Sequence, residues 1–320
     1  MALSNFVKLI WNEQIKLYAQ KSTWVMFIVI LVVAIGGGFL TKYMSTEADF
    51  KEYGADWQAE LQQENEQLTA DMEKDSFNEF SNPLIIAENN YHIEQNIKPE
   101  PYDGWQYVLD NSFLSSLISL FTIVVAAGII SNEFKWGTIK LLLIRPISRT
   151  KILVSKYASV LIFALTLLVF LLVISWITGA IMFGLNGLNP SFVQEQTTGF
   201  AQVSLWGEIL KAYGFSLVTL VMMSTFAFMI SAIFRSSGMA IGLAIFLMMA
   251  GNAIVAFLAQ YDWAKYILFA NTNLKQYMAG GMPINEDMTL TFSITVLAVY
   301  FIVFIVAAWT AFTKRDIAGQ

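Results

Sequence analysis

The chain has 320 residues, of which 56% are hydrophobic, 14% aromatic and only 13% charged, with a mean hydropathy of +0.57 and a formal net charge of -5. Soluble globular chains carry about 25% charged residues, so this balance excludes an ordinary water-soluble fold. Zero cysteines exclude disulfides, iron–sulfur clusters and thiolate zinc sites, and a single histidine, His92, excludes zinc sites that need paired imidazoles.

Six windows contain no Asp, Glu, Lys or Arg: 22–41, 111–132, 157–194, 212–234, 236–261 and 288–313. Each can hold the roughly 20 apolar residues that cross a hydrocarbon core. Barrel strands alternate and are about 10 residues long, so the expected fold is an all-α integral membrane protein with six transmembrane helices.

In chain order, residues 1–21 are predicted to form a cytoplasmic interfacial helix. Leu3, Phe6, Val7, Ile10, Trp11, Leu17 and Tyr18 recur at helical spacing, with Lys8, Asn12, Glu13 and Lys16 on the opposite face. Such a helix anchors the chain and can also touch a cytoplasmic partner. The first span is placed at 22–41; its apolar run, Trp24 to Leu40, lacks a small-residue cleavage site before the acidic stretch and reads as a retained span rather than a signal peptide. Residues 42–110 are predicted as an extracellular helical domain. Between Ser45 and Phe80 there is no proline and one glycine, Gly54, while Phe50, Tyr53, Trp57, Leu61, Leu68 and Met72 form a stripe broken by Glu64, so helix is expected there, and at that length it must either project from the membrane or fold back. Pro83, Pro99 and Pro101 punctuate the remainder of that domain.

The second span is placed at 111–132 and a cytoplasmic segment at 133–156. Ile139, Leu141, Leu142, Leu143 and Ile144 are too few to span a membrane and too apolar for water. Gly137 breaks helix continuity, Pro146 ends the run, and Ser148 is placed to start the helix that carries Lys151 and Lys156 into the third span, 157–183. An outer loop is expected at 184–211, with Phe192 to Trp206 as an interfacial piece. The fourth and fifth spans, 212–234 and 236–260, form a hairpin across a short inner turn at Arg235. Residues 261–287 are too short to cross twice and read as a re-entrant or interfacial outer segment. The sixth span is 288–313, and 314–320 is a cytoplasmic tail.

The side holding 1–21, 133–156, 235 and 314–320 carries 12 Lys and Arg against 3 acidic residues, or +9; the other side carries 7 against 21, or -14. Lys and Arg near span ends are retained in the cytoplasm, which predicts a multi-pass cell-membrane protein with both termini cytoplasmic.

Catalytic and ion-coupling signatures are missing from the sequence. HExxH does not occur, Gly214-Phe215-Ser216 is no nucleophile elbow, and Gly36 to Lys42 lacks the ending of a phosphate loop. The spans hold no ionisable residue near mid-depth; Asn252 is the strongest polar candidate for a transport path, against the ordinary alternative that it bonds a neighbouring helix. If nucleotide energy drives this protein, another chain binds the nucleotide. Neither an enzyme nor a nucleic-acid binder is expected.

The stretch SNEFKWGTIKLLLIRPISRTKILVSK, residues 131–156, resembles the membrane subunits of type-2 ATP-binding-cassette exporters. The resemblance rests on an acidic residue ending the second span, then Gly-Thr, a Leu run, Pro and Ser-Arg, then a Lys entering the third: Glu133, Gly137, Thr138, Leu141, Leu142, Pro146, Ser148, Arg149 and Lys156. It implies a permease subunit that pairs with a second permease subunit, in a homo- or heterodimer, and with cytoplasmic cassette ATPases. These partners bind the ATP and Mg, and this chain holds no cofactor. The resemblance further implies that the Glu133 to Ser148 region, Arg145 included, is the coupling element that docks on the ATPase. Cargo of a hydrophobic or amphipathic kind, such as a lipid, a peptide antibiotic or a drug, would suit the aromatic- and Met-rich spans. The acidic outer domain departs from the smallest members of that group. The competing expectation is a membrane sensor or assembly scaffold, with a ligand-binding outer domain and a signalling partner inside.

Overall fold

The computed structural model describes residues 2–44, 50–73, 76–139, 146–187, 190–196, 199–285 and 287–314. Its helices are α1 (Ala2–Tyr18), α2 (Lys21–Met44), α3 (Trp57–Met72), α4 (Ser76–Gln95), α5 (Gly104–Asp110), α6 (Ser115–Lys135), α7 (Arg149–Phe183), α8 (Leu205–Phe234), α9 (Ser237–Leu258), α10 (Leu268–Thr272) and α11 (Leu290–Lys314). A 3₁₀ turn, Asn111–Leu114, joins α5 to α6. Among the described residues, six stretches are long and apolar enough to cross a membrane: Lys21–Met44, Gly104–Lys135, Arg149–Phe183, Leu205–Phe234, Ser237–Leu258 and Leu290–Lys314. In lipid every backbone group must be satisfied within its own segment, so apolar runs of this length fold as helices.

The chain divides into two compact units. One comprises Met1–Ala34, Asn111–Ile174 and Ala212–Gln320. Small side chains let its helices approach closely: Ser231 donates to the Ala127 carbonyl at 2.5 Å and accepts from the Ser131 N–H at 3.3 Å, while Ala127, Ile230 and Ala240 form a buried cluster. Met222, Leu268, Leu274, Leu297 and Phe304 form a second cluster among α8, α11 and the chain around α10. Where α1, α2 and α7 meet, Tyr18 packs edge-on against Phe163, and Phe27 packs against Phe163 and Phe170.

The other unit comprises Ile35–Asp110 and Ser175–Lys211. Of the two alternatives for the helical stretch within 45–80, the described residues show the folded-back one, with α3 and α4 packed together: Asn82 donates to the Leu68 carbonyl, Asn65 bonds both Asn89 and Asn90, and Leu61 is fully buried. A thirty-residue polar helix would leave its broken apolar stripe in water, whereas a pair buries it. Glu64, which breaks that stripe, instead takes Lys51 and Tyr53.

The Phe192 to Trp206 piece is mostly an antiparallel hairpin of β1 (Ser191–Gln196) and β2 (Gly199–Ser204), with Phe192 opposite Val203 and Glu195 opposite Phe200. The fold is the expected α-helical membrane type, with this one two-stranded sheet among the described residues. Asp103 caps α5, its carboxylate accepting from the N–H groups of Trp105 and Gln106 at 2.9 and 3.1 Å and from Asn186 at 3.0 Å. Gly104 and Gly179 press backbone to backbone; a Cβ on Gly179 would lie 2.8 Å from the Gly104 carbonyl oxygen, so neither position admits a side chain without displacement.

Residues 261–285, in the segment expected to be re-entrant or interfacial, hold the 3₁₀ turns Asp262–Tyr266 and Leu274–Tyr277 on either side of the single-turn α10.

Candidate functional site

The final turn of α6 carries Glu133 and ends where the Trp136 N–H closes on the Asn132 carbonyl at 2.9 Å. Gly137 then takes φ +69°, a left-handed conformation that a glycine adopts without steric cost. That reversal turns Thr138 back, so that its hydroxyl bonds the Glu133 carboxylate and lies 3.4 Å from the Glu133 carbonyl. Glu133, Gly137 and Thr138 thus make one closed turn. Ile139 beyond it is buried. Leu141, Leu142 and Arg145 lie outside the described residues. Pro146 is exposed, and Ser148 caps α7, with the Lys151 N–H 3.4 Å from its hydroxyl. Arg149 reaches the end of α11, donating to the Thr313 carbonyl at 3.0 Å, where a cation meets the negative end of a helix. Trp309 donates to the Thr150 hydroxyl at 3.0 Å beside it.

Three residues that sequence reasoning left out of the site complete it. Lys156, 1% exposed, donates to Glu13 at 2.8 Å and to Glu133 at 2.9 Å. Lys16 lies 3.2 Å from both of the same carboxylates. The two lysines and two glutamates balance in charge and tie α1, the end of α6 and the start of α7 into one knot. Burial opposes the charge of Lys16, but Coulombic attraction to Glu13 and Glu133, with their hydrogen bonds, holds its pKa above the usual lysine value. Gln14 adds a buried bond to the Ser159 carbonyl at 2.9 Å.

This reverses the expected orientation of Glu13 in α1: Glu13, Gln14 and Leu17 face the protein, whereas Val7, Trp11 and Ile15 are more than half exposed. A buried ammonium at Lys156 needs carboxylates within reach, and that requirement outweighs the polar-outside pattern. The only sequence signals were the i,i+3 pair Glu13 and Lys16 and the lysine entering an apolar span.

Asn252, the transport-path candidate, lies on an exposed face of α9 and lines a cavity of about 320 Å³ together with Ser115, Ser119, Thr219, Thr272 and Lys275. Lys275 donates to the Ser112 carbonyl and hydroxyl at 2.9 and 3.0 Å, and burial lowers its pKa to about 8. Close by, Asn271 is fully buried: its amide donates to the Lys265 and Ile267 carbonyls, and its oxygen accepts from Ser293, which also bonds Tyr277.

Residues 77–318 match the family described as "Protein of unknown function (DUF2705)". The chain belongs to that family. It is also similar to two Bacillus subtilis (strain 168) proteins. "Uncharacterized protein YhcI" is 42% identical over 317 residues, covering 98% of this chain and 100% of that protein. "Uncharacterized membrane protein YdbK" is 34% identical over 206 residues, covering 64% of this chain and 79% of that protein. The six apolar helices and this relative together make the DUF2705 chain an α-helical membrane protein. Of the ionic knot, Glu133 and Lys156 fall within the residues that match DUF2705.

Proposed function

We propose that the chain is the permease subunit of a type-2 ATP-binding-cassette exporter, moving a hydrophobic or amphipathic substrate outward on ATP hydrolysed by a partner subunit. The observation that carries the reading is the Glu133–Gly137–Thr138 turn locked through Lys156 and Lys16 to α1 and α7. A partner that pushes on the segment after Thr138 moves the end of α6 only if the two form one body, and coupling demands such a discrete two-state element. The Thr138 to Glu133 bonds and the four-charge knot supply that rigidity. Docking falls to the apolar run with Leu141 and Leu142, whose burial in a partner groove would give affinity while Arg145 sets register.

A second permease subunit is part of the proposal. Met249 and Phe257 are large, exposed side chains along α9, a face that a second subunit would cover. The charge asymmetry supports cytoplasmic termini in the cell membrane, with the knot at the inner side. The α3/α4 pair and the β-hairpin then lie outside.

The test is co-purification of the full chain with a co-expressed cassette ATPase. The parent should retain the ATPase, and Leu142→Asp should weaken association at least tenfold by placing a charge in the contact. Single cysteines at Gln62 and Ser148 control for insertion: an impermeant thiol reagent should label only the first in intact cells. A correctly inserted Leu142→Asp chain that still binds ATPase and supports export would end the coupling reading. Recovery of a kinase or regulator in place of an ATPase would favour the sensor or scaffold.

A further inference from the structure

The cavity that Asn252 lines, among α6, α8, α9 and the chain around α10, lies within one compact unit. Its volume of about 320 Å³ is at the small end of the range that holds organic ligands, about 300–1,000 Å³. Phe113, Met223, Met248 and Phe269 supply apolar walls, and the rest of the lining is hydroxyls, amides and Lys275. A molecule that fits both parts is small, largely apolar and polar at one end.

The polar part has a definite sign, because Lys275 is the single ionisable residue among the described residues that line it. An ammonium has three donors; two go to the carbonyl and hydroxyl of Ser112, and no carboxylate among the described residues takes the third. Burial lowers the pKa of Lys275 to about 8, so at neutral pH it is still mostly protonated, in a place where an adjacent anion would favour the charged form. The hydroxyls add no competing donor: Ser119, Ser216 and Thr219 already donate to the carbonyls of Ser115, Ala212 and Thr272. Asn252 and Asn273 line the same cavity and keep their amide N–H groups. One ammonium with neutral amides matches one negative charge. A phosphate monoester brings about −1.5 to −2, and part of that charge would stay unpaired in a half-buried site. A carboxylate brings one charge and two acceptor oxygens.

We propose that this cavity binds a small apolar carboxylic acid, its carboxylate on the free N–H of Lys275 and the amide of Asn252 or Asn273, and its apolar body against Phe113, Met223, Met248 and Phe269. The site is separate from the ionic knot and does not depend on export; it would exist equally in a permease, a sensor or a scaffold. A fatty acid and the free C-terminus of a short apolar peptide share this chemistry.

The experiment is equilibrium binding to the full chain in neutral detergent, by scintillation proximity, of tritiated decanoate and of tritiated N-acetyl-leucyl-phenylalanine. The parent should bind at least one of them saturably, and the tighter of the two names the source. Methyl decanoate and the peptide amide, which remove the charge, should compete at least tenfold more weakly than the matching acid, as should decyl phosphate, which adds to it. Lys275→Met should weaken binding at least tenfold. Asn252→Trp, at an exposed position on α9 that lines the cavity, should do the same by filling it while leaving Lys275 in place. No saturable binding of either acid, equal competition by the neutral or phosphate analogues, or unchanged binding in either variant would each overturn the proposal. Should Lys275→Met not fold, the analogue series on the parent and Asn252→Trp still decide it.

Discussion

Glu13, Lys16, Glu133 and Lys156 neutralise one another where α1, α6 and α7 meet, whereas Lys275, in the 3₁₀ turn after α10, is an amine among hydroxyls and amides. Among the described residues no carboxylate bonds Lys275. Both places put a lysine out of water in the same helical unit, but the first stabilises the charge with opposite charge and the second leaves it underserved. The contrast predicts different failures. Removing one member of the knot leaves a buried, uncompensated charge, while altering the neutral network costs only hydrogen bonds.

The largest expected effect is Lys156→Met. It leaves Glu13 and Glu133 facing Lys16 alone, and breaking a buried ion pair from one side costs about 3–5 kcal/mol. The thermal midpoint in detergent should fall by many degrees, and Glu133→Leu added to Lys156→Met should recover most of it, because Glu13 and Lys16 then remain balanced. A Lys156→Met chain as stable as the parent would show that the knot is ornamental, and the coupling proposal would lose its rigid joint.

A smaller loss is expected at Asn271. Asn271→Leu removes three hydrogen bonds and strands buried partners, at about 1–3 kcal/mol, without net charge. Its midpoint should fall less than that of Lys156→Met, and the pH dependence of stability should not change. An effect equal to the Lys156 one would dissolve the distinction between the two regions.

The smallest effect is the most specific, because the two lysines respond to pH with opposite sign. Lys275 is held down to about 8, so between that value and the ordinary 10.5 the folded chain binds fewer protons than the unfolded one, and stability rises with pH. Lys16 is held above 10.5; its contribution is complete below that value and is lost as pH rises through its own raised pKa. Melting between pH 7 and 10.5 should show an upward component that Lys275→Met abolishes. A parallel curve for that variant would mean Lys275 is solvated like a surface lysine.

Much of this was legible in the chain itself. The six apolar runs appear as helices because a backbone in hydrocarbon has no other way to satisfy its polar groups. Gly137 and Ser148 were readable as a helix end and a helix start because both act through their own backbone neighbours. Glu13 was misread, since its partner Lys156 is 143 residues away and periodicity reports only neighbours on one helix. The α3/α4 pair was equally hidden: Glu- and Gln-rich sequence favours helix without saying where the helix turns back.

Composition, the spacing of charges and local breakers therefore determined that this is a helical membrane protein and which segments are apolar enough to span. Only the tertiary structure decided which charges meet, that α1 turns Glu13 and Gln14 inward, and that Asn252 shares a cavity with Lys275. The reason is range: hydrophobic and backbone effects are set residue by residue, whereas the partner of a buried charge or an open cavity depends on segments more than a hundred positions apart.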